Sequence, residues 1–98
     1  MDQKLKTSKQ MERHFKGVAN HRRIDILLLI ASEGGISVEE MSERLQTNFK
    51  TISQHARSLT QSGLVLKNYK GRKVEHVLSP YGKIFAKFVK DFRHLGSK

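Results

Sequence analysis

The sequence predicts a mainly α-helical domain with one small β-hairpin, its elements following one another in the order α-α-α-α-β-β-α. Two observations support this prediction. Apolar residues recur at intervals of three and four in five separate stretches, which is the period of helices with one buried face. Two short alternating stretches flank the tip Lys70-Gly71-Arg72, as the strands of a hairpin do. Because no linker or low-complexity segment interrupts these patterns, all 98 residues are predicted to form one domain.

The first predicted helix covers residues 8–19 and carries one apolar stripe. The stripe consists of Met11, Phe15 and Val18, at spacings of four and three. Ser8 is the expected N-cap residue, because its hydroxyl can accept a hydrogen bond from a free amide of the first turn. Residues 1–7 are rich in lysine and have no hydrophobic period, so we expect them to be disordered.

The second and third helices begin at residues suited to capping. Asn20 is the expected N-cap of the second helix, which is apolar on almost every side up to Gly34-Gly35. That helix is therefore predicted to be the central, most buried one. Residues 37–40, Ser-Val-Glu-Glu, have the spacing of a capping box, in which the serine and the glutamate bind each other's backbone amides. The third helix is predicted to start there and to stop at Gln46-Thr47.

The fourth helix is predicted to begin at residue 47 or 48 and to end at residue 62. Its inward-facing residues are Ile52, Ala56 and Leu59. Gly63 follows, where helices commonly end in a left-handed residue. The tight turn between the third and fourth helices is typical of a helix-turn-helix.

A hairpin is predicted directly after the fourth helix, with strands at residues 64–69 and 73–78. A hairpin in this place is the wing of a winged helix-turn-helix. Ser79-Pro80 then opens a last helix, in which the proline occupies its permitted first turn. This helix is predicted to end near residue 95.

The chain is strongly basic, with 19 lysines and arginines against 9 acidic residues and a formal net charge of +10 at pH 7. Such a charge attracts polyanions such as nucleic acid, and the alternative is a surface charged for solubility. No apolar run approaches the roughly 18 residues of a membrane span, and the N-terminus does not resemble a signal peptide. We therefore expect a cytoplasmic, nucleoid-associated protein with no membrane partner. Cysteine is absent, which excludes disulfides and thiolate chemistry.

The fourth helix carries mostly polar residues on the face that its apolar residues leave free. In a helix-turn-helix the N-terminal part of this helix enters the major groove, so these residues are candidates for contact with DNA. They are Asn48, Phe49, Lys50, Thr51, Ser53, Gln54 and Arg57. Gln54 has the donor and acceptor that adenine requires, and Lys50 and Arg57 suit guanine or phosphate. The alternative is an ordinary solvated helix face.

The wing carries basic residues that a hairpin does not need for its stability. They are Lys67, Lys70, Arg72 and Lys73. Cationic side chains at a hairpin tip can follow the phosphates along the minor groove, so we count these four as DNA-binding candidates. The alternative is that the lysines protect an exposed edge strand from aggregation.

The terminal helices, residues 8–19 and 80–95, have more apolar surface than a monomer of this length needs. The candidate dimer-interface residues are Met11, Phe15, Val18, Phe85, Phe88 and Phe92. A self-complementary surface of this kind can pair about a two-fold axis. The alternative is that the two helices cover each other and the core within one chain.

Three segments resemble the ArsR-like winged helix-turn-helix repressors. GVANHRRIDILLLI is similar to the opening signature of that family, KTISQHARSLTQSGLV to its recognition helix, and KGRKVEHVLSPYG to its wing and the start of its last helix. His21, Phe49 and Ala56 depart from the family's usual residues. The resemblance covers roughly residues 11–95 and implies a homodimer formed by the first and last helices.

Metal sensing is the best-known input of the ArsR-like family, but thiolate ligands are impossible in this chain. The resemblance also implies a place for a carboxylate-imidazole site, where Asp91 and His94 lie at i, i+3 on the last helix. The second pair of ligands that such a site needs is absent. We therefore expect no metal and no cofactor, with Asp91 and His94 solvated.

These observations favour a dimeric, sequence-specific regulator of transcription that binds double-stranded DNA, most simply a repressor. The alternatives are a winged-helix adaptor that docks another protein, and an architectural DNA-binding protein with little sequence preference. An enzyme is not expected, because the sequence has no phosphate-binding glycine loop, paired-carboxylate pocket or nucleophile with its base.

Overall fold

The computed structural model describes residues 4–96 and confirms the predicted fold class. Its helices are α1 (Ser8–Val18), α2 (His21–Ser32), α3 (Val38–Leu45), α4 (Phe49–Gln61) and α5 (Pro80–Arg93). The antiparallel strands β1 (Val65–Lys70) and β2 (Lys73–Leu78) lie between α4 and α5 in the chain. Helices α1 and α5 end one and two residues earlier than predicted, and β1 begins one residue later.

Helix α2 lies at the centre of the molecule and contacts all four other helices and β2. Ile26, Leu27 and Ile30 of α2 are fully buried, as expected for a helix that is apolar on most of its surface. They pack in one core with the buried side chains of the neighbouring elements, namely Met41, Ile52, Leu59, Leu64 and Val65. The predicted central position of α2 is confirmed.

Capping side chains fix where the helices begin. Ser37 and Glu40 form the predicted capping box, with the Ser37 Oγ accepting from the Glu40 amide at 3.2 Å and the Glu40 Oε1 accepting from the Ser37 amide at 2.9 Å. The prediction that Ser8 caps α1 is wrong, because Thr7 caps it in a second capping box with Gln10. Glutamine at the third helical position performs the same reciprocal bonding as glutamate, so the cap lies one residue earlier.

The segment predicted to be disordered, residues 1–7, is described only in part, since residues 1–3 lie outside the described range. Residues 4–7 form neither helix nor strand, yet two of them make defined contacts. Thr7 caps α1, and the ammonium of Lys6 lies 4.4 Å from the centroid of the Tyr81 ring.

The turn between α3 and α4 is tight because Gln46 adopts a left-handed conformation, with φ of 48°. Left-handed backbone is uncommon for residues with a side chain, and no glycine marks this turn in the sequence. The Asn48 side chain then caps α4 by accepting from the amides of Lys50 and Thr51. These contacts set the angle at which α4 leaves α3.

The base of the wing is anchored to the segment before α3 by His76. Its backbone N–H donates to the carbonyl oxygen of Ile36 at 2.9 Å, and its Nδ1 lies 3.0 Å from the same oxygen. The amide of Gly35 donates to the carbonyl of His76 at 2.9 Å, so an isolated antiparallel bridge pairs Ile36 with His76 on the side of β2 away from β1. The imidazole of His76 is 2% exposed.

The start of α5 packs directly on the backbone that precedes the wing. Ser79 caps the helix, and its Oγ donates to the carbonyl of Gly63 at 2.6 Å and accepts from the amide of Gly82 at 3.0 Å. A Cβ at Gly82 would overlap the carbonyl oxygen of Leu64. The close approach of α5 therefore requires glycine at position 82, although its place inside a helix gives no backbone reason for one.

We expect Gly82→Ala to lower the free energy of unfolding by about 1–3 kcal/mol, because the added methyl group forces α5 away from Leu64. Chemical denaturation followed by circular dichroism measures the loss. Gly34→Ala is the matched control, since a Cβ there meets only the Ile30 carbonyl oxygen at 3.8 Å. Its stability is expected to stay within about 1 kcal/mol of the wild type. Equal losses in the two variants would contradict the packing argument.

Burial lowers the pKa of His76 below its ordinary value of 6.5, although the hydrogen bond to Ile36 acts in the opposite direction. In the range between the lowered pKa and 6.5 the unfolded chain binds more protons than the folded one. The contribution of His76 to stability is therefore complete above pH 6.5 and is lost as the pH falls through that range.

We expect the free energy of unfolding to decrease between pH 7 and pH 5, and to decrease less steeply in His76→Asn. The asparagine side chain keeps an N–H donor near the position of Nδ1 but does not titrate. Denaturant titrations at several pH values measure both slopes. The pH dependence of stability that remains in His76→Asn arises in part from His55, because burial lowers the pKa of His55 as well. Parallel slopes in the wild type and in His76→Asn would refute this assignment.

Candidate nucleic-acid interface

Helix α4 is held by one buried row and exposes the opposite face. Ile52, Ala56 and Leu59 are buried, as predicted. The helical period then places Lys50, Gln54 and Arg57 on the far side, where all three side chains are exposed. Thr51 and Ser53 are half-buried on the two flanks of that face.

Five of the seven candidates on α4 line one shallow depression. They are Phe49, Lys50, Ser53, Gln54 and Arg57. The depression therefore combines two cations, an amide and a hydroxyl with an aromatic ring, which are groups that bind phosphates and base edges. Asn48 lies just before it, and its side-chain oxygen is engaged in capping, which leaves the amide nitrogen as its free donor.

The wing lies beside the start of α4, across a cleft. Phe49 from α4 lines this cleft together with Lys67, Arg72 and Lys73 from the wing and residues at the start of α3. The structure therefore brings Phe49 of α4 next to three of the four wing candidates.

The four predicted wing cations divide into two kinds. The Nζ of Lys73 lies 3.1 Å from a carboxylate oxygen of Glu40, and the Nζ of Lys70 lies 3.7 Å from one of Glu75. Among residues 4–96, Lys67 and Arg72 form no such ion pair. The charges of Lys67 and Arg72 are thus the uncompensated ones in the wing.

Glu40 makes two contacts, of which the sequence predicted only the capping box with Ser37. Its carboxylate accepts from the Ser37 amide in the capping box and also pairs with Lys73, so it joins α3 to β2. The hydrogen bond from the Ser37 backbone and then the one from Lys73 hold the pKa of Glu40 below its ordinary value. Lys73 therefore links the wing to the start of α3.

Two arginines at the start of α2 were missed as candidates for the interface. Arg22 donates from Nη1 to the Thr47 hydroxyl at 3.0 Å, in the turn between α3 and α4. Arg23 donates to the carbonyls of Lys16 and Gly17 and, from Nε, to His55 at 3.2 Å. The adjacent basic residues were visible in the sequence, but only the fold brings them next to α4.

The terminal helices carry a face of exposed apolar side chains. Phe15, Phe88 and Phe92 are 59%, 62% and 63% exposed, and Met11 is exposed as well. Phe85 is half-buried beneath them with its ring 5.1 Å from that of Phe15. Val18 is buried in the core, so its side chain is unavailable to a partner in this conformation. Ile84 on α5 and Leu95 just after it are also exposed and were absent from the predicted set.

Residues 4–96 contain no group of three or more histidine and acidic side chains placed to hold a metal ion. Asp91 instead pairs with Lys87 at 3.0 Å, one turn before it in α5. In the same range, no helix has the length and apolar character needed to cross a membrane.

Comparison with known proteins gives one family model and several relatives. The model named HVO_A0114 matches residues 18–86. The arsenical resistance operon repressor of Escherichia coli (strain K12) is 34% identical over 67 residues, which are 68% of this chain and 57% of that protein. The transcriptional activator HlyU of Vibrio cholerae is 36% identical over 64 residues, 65% of this chain and 58% of HlyU. The chain thus spans a little over half the length of these curated relatives.

Solved structures agree with these matches. Reduced HlyU from Vibrio cholerae superposes with a TM-score of 0.79 at 28% identity, over 89% of this chain and 92% of HlyU. The homodimeric winged helix-turn-helix DNA-binding domain Mb0332 from Mycobacterium bovis gives a TM-score of 0.78 at 26% identity, over 96% of this chain and 94% of that domain. The predicted resemblance to the ArsR-like regulators is confirmed, and the chain belongs to the family that the HVO_A0114 model describes.

Proposed function

We propose that this protein is a dimeric regulator of transcription that binds specific sites on double-stranded DNA through α4 and the wing. The observation that carries the proposal is the exposed face of α4, where Lys50, Gln54 and Arg57 stand opposite the buried row. A polar helix face beside a basic hairpin has the shape and charge that the major groove and its flanking phosphates accept.

Each part of this surface has a distinct role in the proposal. Gln54 and Arg57 read base edges, for which their side chains offer bidentate hydrogen bonds to adenine and guanine. Lys67 and Arg72 bind phosphates beside the groove, because their charges are unpaired within the wing. Lys50 lies at the start of α4, where the helix dipole adds to its attraction for phosphate. Phe49 and Ser53 line the same depression, and the remaining candidates, Asn48 and Thr51, border it.

The dimer is proposed to form through the exposed apolar face of α1 and α5. Its residues are Met11, Phe15, Phe85, Phe88 and Phe92, with Ile84 and Leu95. A two-fold axis through this face presents two copies of α4 to successive major grooves, about 34 Å apart, and so predicts a palindromic site. The homodimeric state of the Mycobacterium bovis domain supports this arrangement.

Repression is the mode we propose, because a dimer that occupies a promoter blocks transcription without any further contact. The Escherichia coli relative is named a repressor and the Vibrio cholerae relative an activator. A reporter gene placed behind the selected binding site tests the sign of regulation: expression should fall when the protein is present. A rise would overturn this part of the proposal.

We expect a single palindromic consensus when binding sites are selected from a random oligonucleotide pool. We expect Arg57→Ala to weaken binding to that consensus site by about 1–3 kcal/mol. Binding titrations on the consensus and on random DNA measure the effect. Arg72→Ala should lower affinity evenly on both DNAs, and Lys87→Ala, on α5, should leave both unchanged. An equal loss on both DNAs for Arg57→Ala would contradict its role in reading bases. Absence of any duplex binding by the wild type would favour a protein-docking adaptor.

We expect Phe88→Glu to convert dimers into folded monomers, since the carboxylate would be buried without a partner in the interface. Sedimentation velocity measures the mass, and circular dichroism confirms that the chain remains folded. Lys90→Gln changes the charge by the same amount on the opposite side of α5 and should remain dimeric. A dimer that survives Phe88→Glu would exclude this face as the interface.

A further inference from the structure

A second group of basic side chains flanks α4 on the side away from the wing. It consists of His21, Arg22 and Arg23 at the start of α2 and His55 on α4. Arg22 reaches the turn before α4 through its bond to Thr47, and Arg23 reaches α4 itself through its bond to His55. Since Thr47 immediately precedes the cap of α4, this basic group borders the proposed recognition surface.

The two flanks of α4 are defined by different contacts. Phe49 faces the cleft shared with Lys67 and Arg72 of the wing. His55 lies on the other flank, because six residues along an α-helix correspond to a rotation of about 240°, and it bonds there to Arg23 of α2. A duplex seated on the exposed face of α4 therefore passes the wing on one flank and the start of α2 on the other.

The two arginines of this group form no ion pair within the part of the chain that the structure describes. Among residues 4–96, neither Arg22 nor Arg23 has a carboxylate oxygen within 4.0 Å. Burial lowers the pKa of His55, and the nearby charges of Arg23, Arg22 and His21 lower it further. Such a concentration of like charge is unfavourable in the free protein and is relieved when an anion binds.

Arg22 and the exposed His21 have side-chain donors available to a ligand. A guanidinium has five N–H donors, and within residues 4–96 the side chain of Arg22 makes one hydrogen bond, to Thr47. Arg23 already bonds to two carbonyls and to His55, so it positions the group. The side chain of Asn20 accepts from the amides of Arg22 and Arg23. A phosphate group at the start of α2 would therefore bind side chains, because the backbone amides of Arg22 and Arg23 are already hydrogen-bonded to Asn20.

We infer that Arg22, with the exposed His21 beside it, forms a second phosphate-binding surface that holds the DNA backbone on the flank of α4 opposite the wing. This inference rests on the proposed function. Its ligand is the phosphate backbone of duplex DNA, and it adds affinity without reading sequence.

Arg22→Gln tests the inference in the full-length chain. We expect about three- to tenfold weaker binding to both the selected site and random DNA, and a slope of log affinity against log salt that is smaller by about 1. The order of preference among base substitutions in the site should not change. Circular dichroism and the dimer mass confirm that the variant is folded.

Two controls separate phosphate binding from a structural role. Thr47→Val removes the partner of Arg22 without changing the charge, and its salt slope should equal that of the wild type. Lys87→Gln removes one positive charge on α5, away from the proposed surface, and should leave affinity and slope unchanged. The Thr47 hydroxyl also donates to the Leu45 carbonyl, so the salt slope is the readout that discriminates. If Thr47→Val reproduces the smaller slope of Arg22→Gln, Arg22 acts by holding the turn, and the inference is overturned.

The failure of this inference can be told apart from failure of the proposed function. If Arg57→Ala impairs specific binding while Arg22→Gln binds with the slope and affinity of the wild type, only the second phosphate surface is excluded. If the wild type binds no duplex at any salt concentration, both proposals fail.

Discussion

The buried row of α4 is the constraint on which the rest of the molecule depends. Ile52, Ala56 and Leu59 are enclosed by the core, and a rotation of one residue would bring a polar side chain into that core. The helix is therefore held in one orientation, and its period decides that Lys50 and Arg57 face outward. The proposed function follows from this packing, because the recognition surface is the face that the core does not use.

The wing depends on polar contacts along β2 and at the cap of α5. A two-stranded hairpin is marginally stable on its own, and most of β1 is exposed. His76 binds the Ile36 carbonyl, Lys73 pairs with Glu40, and Ser79 binds the carbonyl of Gly63. These contacts hold the hairpin beside α4, and they divide its cations into those that build the wing and those left free for a ligand.

The sequence predicted most features that neighbouring residues determine, apart from the cap of α1, and missed contacts between residues distant in the chain. Capping by Ser37 and Glu40 acts across one turn and could be recognised directly, whereas the contact of Arg22 with Thr47 joins residues 25 positions apart and exists only in the folded chain. The apolar stripe of α1 showed which residues avoid water but not which surface each one meets. Val18 faces the core while Phe15 is exposed, and only the packing of α1 against its neighbours decides between them.

The distribution of acidic residues bears on the two explanations for the basic charge. A surface charged for solubility mixes both signs, yet residues 44–74, from the end of α3 to the start of β2, contain no aspartate or glutamate. This stretch holds the whole of α4 and β1.

Elsewhere acidic residues are present, and Glu12 and Asp91 pair with lysines one turn away on α1 and α5. Negative charge is thus absent from α4 and β1, where a carboxylate would repel phosphate, and the one acidic residue of β2, Glu75, is paired with Lys70. The terminal helices, which are not proposed to face DNA, do carry acidic residues. This asymmetry favours a polyanionic partner over solubility as the explanation for the charge.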